Sequence, residues 1–221
     1  NDIRNKLNYM IDLKKFNQNI ARKNVKYLDI NYIYNSIINA IELHNLLINE
    51  KIKILNLNTN KIDKLNDFIE YLDNTFDFFK LREIKNNDIT MNIFNKGYCT
   101  ELDEIYDIID MNRNMMDKLI KELSVLVDPS YLSKKGKIIN KGQNATYDHY
   151  IYATTSRCET IENKLSKKKI KIYNKCLTKK DFNFKNIGKN KVMIEVECIN
   201  SSSNILIEQI ELLKKKTDEQ L

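Results

Sequence analysis

Four carboxylates, Asp103, Glu104, Asp107 and Asp110, lie close together and could ligate a divalent cation. They open a strongly periodic helical stretch, so the simpler reading is a set of solvated acids at the positive end of a helix dipole. Cys158 near His149 could pair a thiol with a base. No third orienting group or oxyanion-hole motif accompanies them. The four cysteines, Cys99, Cys158, Cys176 and Cys198, form no C-x-x-C pair, and His44 and His149 are the only histidines, so no zinc site is expected. Free thiols in a reducing intracellular compartment are the expected state. A phosphate loop needs G-x-x-x-x-G-K-[ST], but Gly136 and Gly142 have the wrong spacing and Gly142 precedes Gln143. The chain is therefore read as a non-enzyme with no cofactor, metal or catalytic residue of its own. Asn144-Ala145-Thr146 fits a glycosylation acceptor, taken as chance without a secretory signal.

Charge is the chemistry that remains. The 221-residue chain carries a net charge of +7. Pro129 to Ile199 holds 16 basic and 6 acidic residues, a net of +10, which leaves −3 for the rest. Such a step suits a polyanion partner for one segment only. The residues expected to contact a nucleic-acid backbone are Arg157, Lys167, Lys168, Lys169, Lys185, Lys189 and Lys191. Each would act through charge and counterion release, with no base readout.

The elements that must position them follow from periodicity. With 42% hydrophobic and 30% charged residues the chain can bury a core, and one proline and four glycines favour long helices. Ile3 to Arg22 reads as a helix. Asp29 is expected to cap a second, with Ile30, Ile33, Ile37, Ile41 and Leu47 on its buried side and His44 as a structural residue. Thr59 or Asn60 would cap a third through Ile62, Leu65, Ile69, Leu72, Phe76 and Phe79, with Phe76, Phe78 and Phe79 in the core. Residues 85–96 read as a polar loop. Thr100, with Asp103 three residues on, opens a helix of near-heptad spacing through Leu102, Ile105, Ile109, Met116, Leu119, Leu123 and Leu126. Its 28 or so residues would span about 42 Å. After Pro129, "HYIYATTSR", "KIKIYNKC" and "KNKVMIEVECI" read as strands of a small antiparallel sheet. Lys164 and Lys167 to Lys169 fall between two of them, and Lys185, Lys189 and Lys191 surround a turn at Gly188. Ser201 to Ser203 are expected to cap a last helix through Ile205, Ile207, Ile210 and Leu213. The fold class is mainly α, a helical core bundle in which two long helices carry a small antiparallel β subdomain. The expected divisions are 1–128 helical, 129–200 basic and β-rich, and 201–221 a last helix. No apolar run approaches the roughly 18 residues of a membrane helix. Without an initiator Met, Asn1 is read as the start of a piece of a longer protein.

This order of elements resembles the lever and clamp region of the MutS family of DNA mismatch-recognition ATPases. The resemblance makes 1–128 the helical core and lever, 129–200 the clamp and 201–221 the descending lever helix. Met10 to Leu43 is similar to that family's helix–loop–helix. Gly97, Tyr98, Leu102, Asp103 and Glu104 are similar to its Gly-Tyr and Leu-Asp-Glu opening of the rising helix. Tyr150, Ile151 and Thr154 are similar to a clamp strand. The resemblance implies double-stranded DNA as partner through backbone contacts. It also implies a dimeric parent whose other domains bind ATP and magnesium, and no ATPase site or mismatch-reading Phe-x-Glu wedge in this stretch. The competing expectation is a helical scaffold that binds no DNA, with Met111, Met115 and Met116 meeting a partner helix in a coiled coil.

Overall fold

The computed structural model describes residues 2–8, 10–50, 59–84, 88–133, 136–144 and 148–221. The protein is mainly α-helical with a small antiparallel sheet. It divides into two compact units, one of residues 1–103 with 213–221 and the other of 104–212. The divisions expected after residues 128 and 200 both fall within the second unit.

The first unit holds α1 (Asp2–Asn8), α2 (Leu13–Ala21), α3 (Tyr27–Asn49), α4 (Thr59–Thr75) and α5 (Phe78–Glu83). The single helix expected from Ile3 to Arg22 is two, because the Asp12 carboxylate accepts from the Lys15 amide and starts α2 afresh. Asp29 is not the cap of α3. It stands in the first turn and its carboxylate reaches back to the Lys26 amide, satisfying one of the free donors there. Ile30, Ile33, Ile37 and Leu47 are buried as expected, and His44 is buried beside them. Thr59 and Asn60, expected as caps, are the first two helical residues of α4, and the position before them lies outside the described residues. A break at Phe76–Asp77 separates α4 from α5, and Asp77 caps α5 through the Phe79 and Lys80 amides. Burial raises the Asp77 pKa but these donors and the Lys80 ammonium outweigh it and hold the carboxyl below its ordinary value.

Residues 88–96 are irregular as expected, yet they are core rather than surface. Ile89, Ile93 and Phe94 are at most 1% exposed. Phe94 stacks between Phe76 and Tyr98, with ring centroids 5.1 and 4.9 Å away. The buried backbone is satisfied by Asp77 N–H to Ile93 C=O at 2.8 Å and Asn95 N–H to Thr75 C=O at 2.9 Å. Phe79, expected in the core, is 73% exposed, because the break before α5 turns it out of the α4 stripe. The end of α8 closes this unit, where the Tyr27 hydroxyl donates to Asp218 and Lys216 pairs with Glu101 at 3.1 Å.

The second unit contains most of α6 (Thr100–Val127) and α8 (Glu197–Gln220), with the sheet between them in sequence. In α6, Ile105, Ile109, Met116, Leu119 and Leu123 are buried, while Glu104, Asp107 and Asp110 are exposed, as the solvated reading requires. Asp103 departs from that reading: it is half-buried and accepts from the Asn92 side-chain amide at 2.9 Å and the Gly97 amide at 2.7 Å. Strands β1 (Asn140–Asn144), β2 (Asp148–Ala153), β5 (Phe182–Gly188) and β6 (Lys191–Val196) form one antiparallel sheet in the order β1-β2-β6-β5. Between β2 and β5 the chain makes α7 (Thr155–Leu165) and a separate hairpin of β3 (Ile170–Ile172) and β4 (Lys175–Leu177). The latter half of "HYIYATTSR" is thus helix, corrected by the Cys158, Ile161 and Leu165 stripe that α7 buries. Ser201 to Ser203 do not cap α8. The helix starts at Glu197, and Ser202 and Ser203 lie inside it, 1% and 5% exposed.

Candidate nucleic-acid interface

Lys167, Lys168 and Lys169 are exposed on the turn that ends α7. The Lys167 and Lys168 amides both donate to the Lys164 carbonyl, at 3.1 and 2.9 Å, so the run leaves the helix in a tight turn. It lines an open cleft of about 680 Å3 together with Leu165, Ser166, Thr178, Lys179 and Lys180. Lys179 and Lys180 belong to a 3-10 turn, Lys179–Asp181, fixed by the Asp181 carboxylate, which accepts from the Thr178 amide at 2.6 Å and hydroxyl at 2.8 Å. Those two donors hold the Asp181 carboxyl below its ordinary pKa. Five lysines therefore share one cleft. Glu162 offsets one of them through an ion pair with Lys179 at 2.9 Å. Lys179 and Lys180 had not been singled out from the sequence, although the Thr178 and Asp181 spacing of a capped turn was there to find.

The remaining expected contacts lie elsewhere. Lys185 is in β5, Lys189 in the turn and Lys191 at the start of β6. Seven residues of β5 at roughly 3.3 Å each put about 20 Å between the 3-10 turn and this hairpin turn. The expected basic surface is thus two clusters, one at each end of β5. Arg157 joins neither by its Nη1, which donates to the Ile138 carbonyl at 2.9 Å and the Lys137 carbonyl at 3.4 Å. Lys164 is turned inward as well, donating to the Leu126 carbonyl in the last turn of α6. A cation there meets the negative end of the helix dipole.

Hydrogen-bonded partners across an antiparallel ladder share a face. One row of the sheet is Asn140, Tyr152, Met193 and Lys185, from β1, β2, β6 and β5 in turn. The next row is Lys141, Ile151, Ile194 and Phe184, on the opposite face. The second face is buried through Ile151, Ile194, Val192 and Val196. The first carries the half-buried rings of Tyr150 and Tyr152 and the exposed Lys185 and Lys191, with Met193 buried among them at 5% exposure. Lys191 Nζ stands 5.2 Å from the centroid of the Tyr152 ring.

Among the described residues no group of three or more His, Cys, Asp and Glu side chains is placed to hold a metal ion. Burial pushes the Cys158 thiol up to about 11, and the thiol faces the Val192 carbonyl at 3.8 Å. A nucleophilic cysteine needs the opposite shift. All four cysteines are free thiols. Among the described residues no helix is long and apolar enough to cross a membrane. The glycosylation string lies partly outside the described residues. A Phe-x-Glu string does occur, at Phe68-Ile69-Glu70, against the expectation of none. It sits in the middle of α4, where Phe68 stacks beside Tyr71 with centroids 6.3 Å apart, and a regular helix does not present a ring as a wedge.

No protein-family model matches this chain, and no curated protein matches it. The functional reading therefore stands on the residues themselves.

Proposed function

We propose that the chain is the lever and clamp part of a MutS-like DNA mismatch-recognition protein, holding double-stranded DNA by its phosphates. The observation that carries the reading is the cleft lined by Lys167, Lys168, Lys169, Lys179 and Lys180. Lysines held at one site release counterions when a polyphosphate backbone enters, and they do so for any base sequence. The order of elements supports the same reading: a long α6, a basic β-containing segment, then a long α8. In this proposal the helices couple the clamp to an ATPase domain in the parent protein, and nucleotide state moves the clamp by shifts of packed helices. The parent is a dimer that binds ATP and magnesium through that other domain.

A scaffold reading has one observation in its favour. Ile108 and Met111 on α6 are 39% and 58% exposed and offer apolar surface to a partner helix, but Met116, expected in the same contact, is 3% exposed and Met115 Sδ meets Ser202 Oγ at 3.7 Å. Binding of the chain to a short duplex from low to physiological salt separates the two. Sequence-indifferent binding with a steep salt slope is expected. Absence of binding at low salt sinks the clamp reading and favours the scaffold.

A further inference from the structure

The sheet face that bears Tyr150 and Tyr152 carries a feature that phosphate binding leaves unused. Tyr150 and Tyr152 are two residues apart on β2, so their rings lie on the same face, with centroids 5.8 Å apart. Opposite Tyr150 in the ladder stands Gly142, and a Cβ there would fall 2.3 Å from the tyrosine ring. The glycine therefore leaves the space that the Tyr150 ring occupies against β1. Tyr152 is flanked by Met193 beside it and by the Lys191 ammonium above its ring. Lys185 completes the same row, and Lys189 follows in the adjoining turn. At the other end of the face Glu195 accepts from the Asn183 side-chain amide at 2.6 Å.

We infer that this face is a stacking platform for unpaired nucleotides of a single nucleic-acid strand. Tyrosine rings on a sheet offer π-faces to any base, and lysines interleaved with them neutralise the backbone. The Lys191 ammonium occupies one face of the Tyr152 ring. An arriving base takes that place, and Lys191 moves from the ring to a phosphate. Polarity along the face follows from charge. The backbone runs across the Lys185, Lys189 and Lys191 end, and Glu195 repels it from the other. Unlike the lysine cleft, this surface recognises bases, so it stands or falls apart from the duplex reading.

The test compares the whole chain binding a short oligothymidylate with an abasic oligomer of the same length and charge. Wild type is expected to bind the thymidylate about tenfold more tightly. Tyr152→Leu should remove that preference, Tyr152→Phe should keep it, and Lys191→Gln should weaken both oligomers alike. Equal affinity of wild type for the two oligomers overturns the platform and leaves the phosphate cleft standing. A preference that survives Tyr152→Leu also overturns it. A measurement that needs no variant is photo-crosslinking of a 5-iododeoxyuridine strand to wild type. Adducts on Tyr150 or Tyr152 support the platform, and adducts only around Lys167 to Lys169 overturn it.

Discussion

Arg157 and Lys168 carry the same charge in the same basic segment, yet their surroundings assign them different work. The Arg157 guanidinium holds the carbonyls of residues 137 and 138, whereas Lys168 projects from an exposed turn. His149 shows the same dependence on neighbours. Its amide donates to Ser203 Oγ at 3.0 Å, while its Nε2 is buried with no hydrogen-bond partner among the described residues. Burial first, then Arg113 on α6 and Lys141 on β1, push its pKa below 6.5, and Asp148 only partly opposes them. A histidine with a lowered folded pKa favours the fold when neutral. That stability is present above pH 6.5 and is lost as the pH falls through the folded value. Thermal unfolding of wild type should therefore shift downward between pH 7.5 and 5, and His149→Asn should show a flatter acid limb. An identical acid limb in both proteins would remove His149 from the account.

At the scale of elements, β1 depends on one contact more than on its own sequence. "NKGQN" has no strand-forming residue of note, but Gly142 admits the Tyr150 ring where any side chain would collide. Gly142→Ala is expected to destabilise the second unit by about 1–3 kcal/mol, the usual range for overpacking, although alanine has the better backbone entropy. Urea unfolding followed by circular dichroism measures it. A neutral or stabilising result would mean that Tyr150 swings aside at little cost. Helix α7 is the second lesson at this scale. Cys158, Ile161 and Leu165 mark its buried face at helical spacing, but β-branched and aromatic residues just before it read as strand.

For the whole molecule, charge distribution makes the most direct prediction. If the five cleft lysines each neutralise one phosphate, the slope of log affinity against log salt is about −4.5 from that cleft. Replacing Lys167, Lys168 and Lys169 with serine should reduce the slope by about 2.7 and lower affinity for every duplex sequence alike. An unchanged slope would place duplex binding outside the cleft. The three lysines are exposed, so the variant should fold as wild type does, which the same unfolding assay checks.

The amino-acid sequence by itself determined the mainly helical class, the long α6 with its buried stripe, the strand β6 and the concentration of positive charge after Pro129. These are read from local periodicity and composition, which depend on near neighbours. Tertiary structure alone decided the rest. A polar stretch with Ile89, Ile93 and Phe94 became core because Phe76 and Tyr98 stack on Phe94. Serines of cap-forming type became helix interior, since small hydroxyls at Ser202 and Ser203 fit where neighbouring elements approach closely. Two lysine runs distant in sequence, three residues at 167–169 and two at 179–180, came to share one cleft. Each outcome turns on which non-local surfaces meet, and a pattern that reports only the residue's own strand or helix carries no record of that meeting.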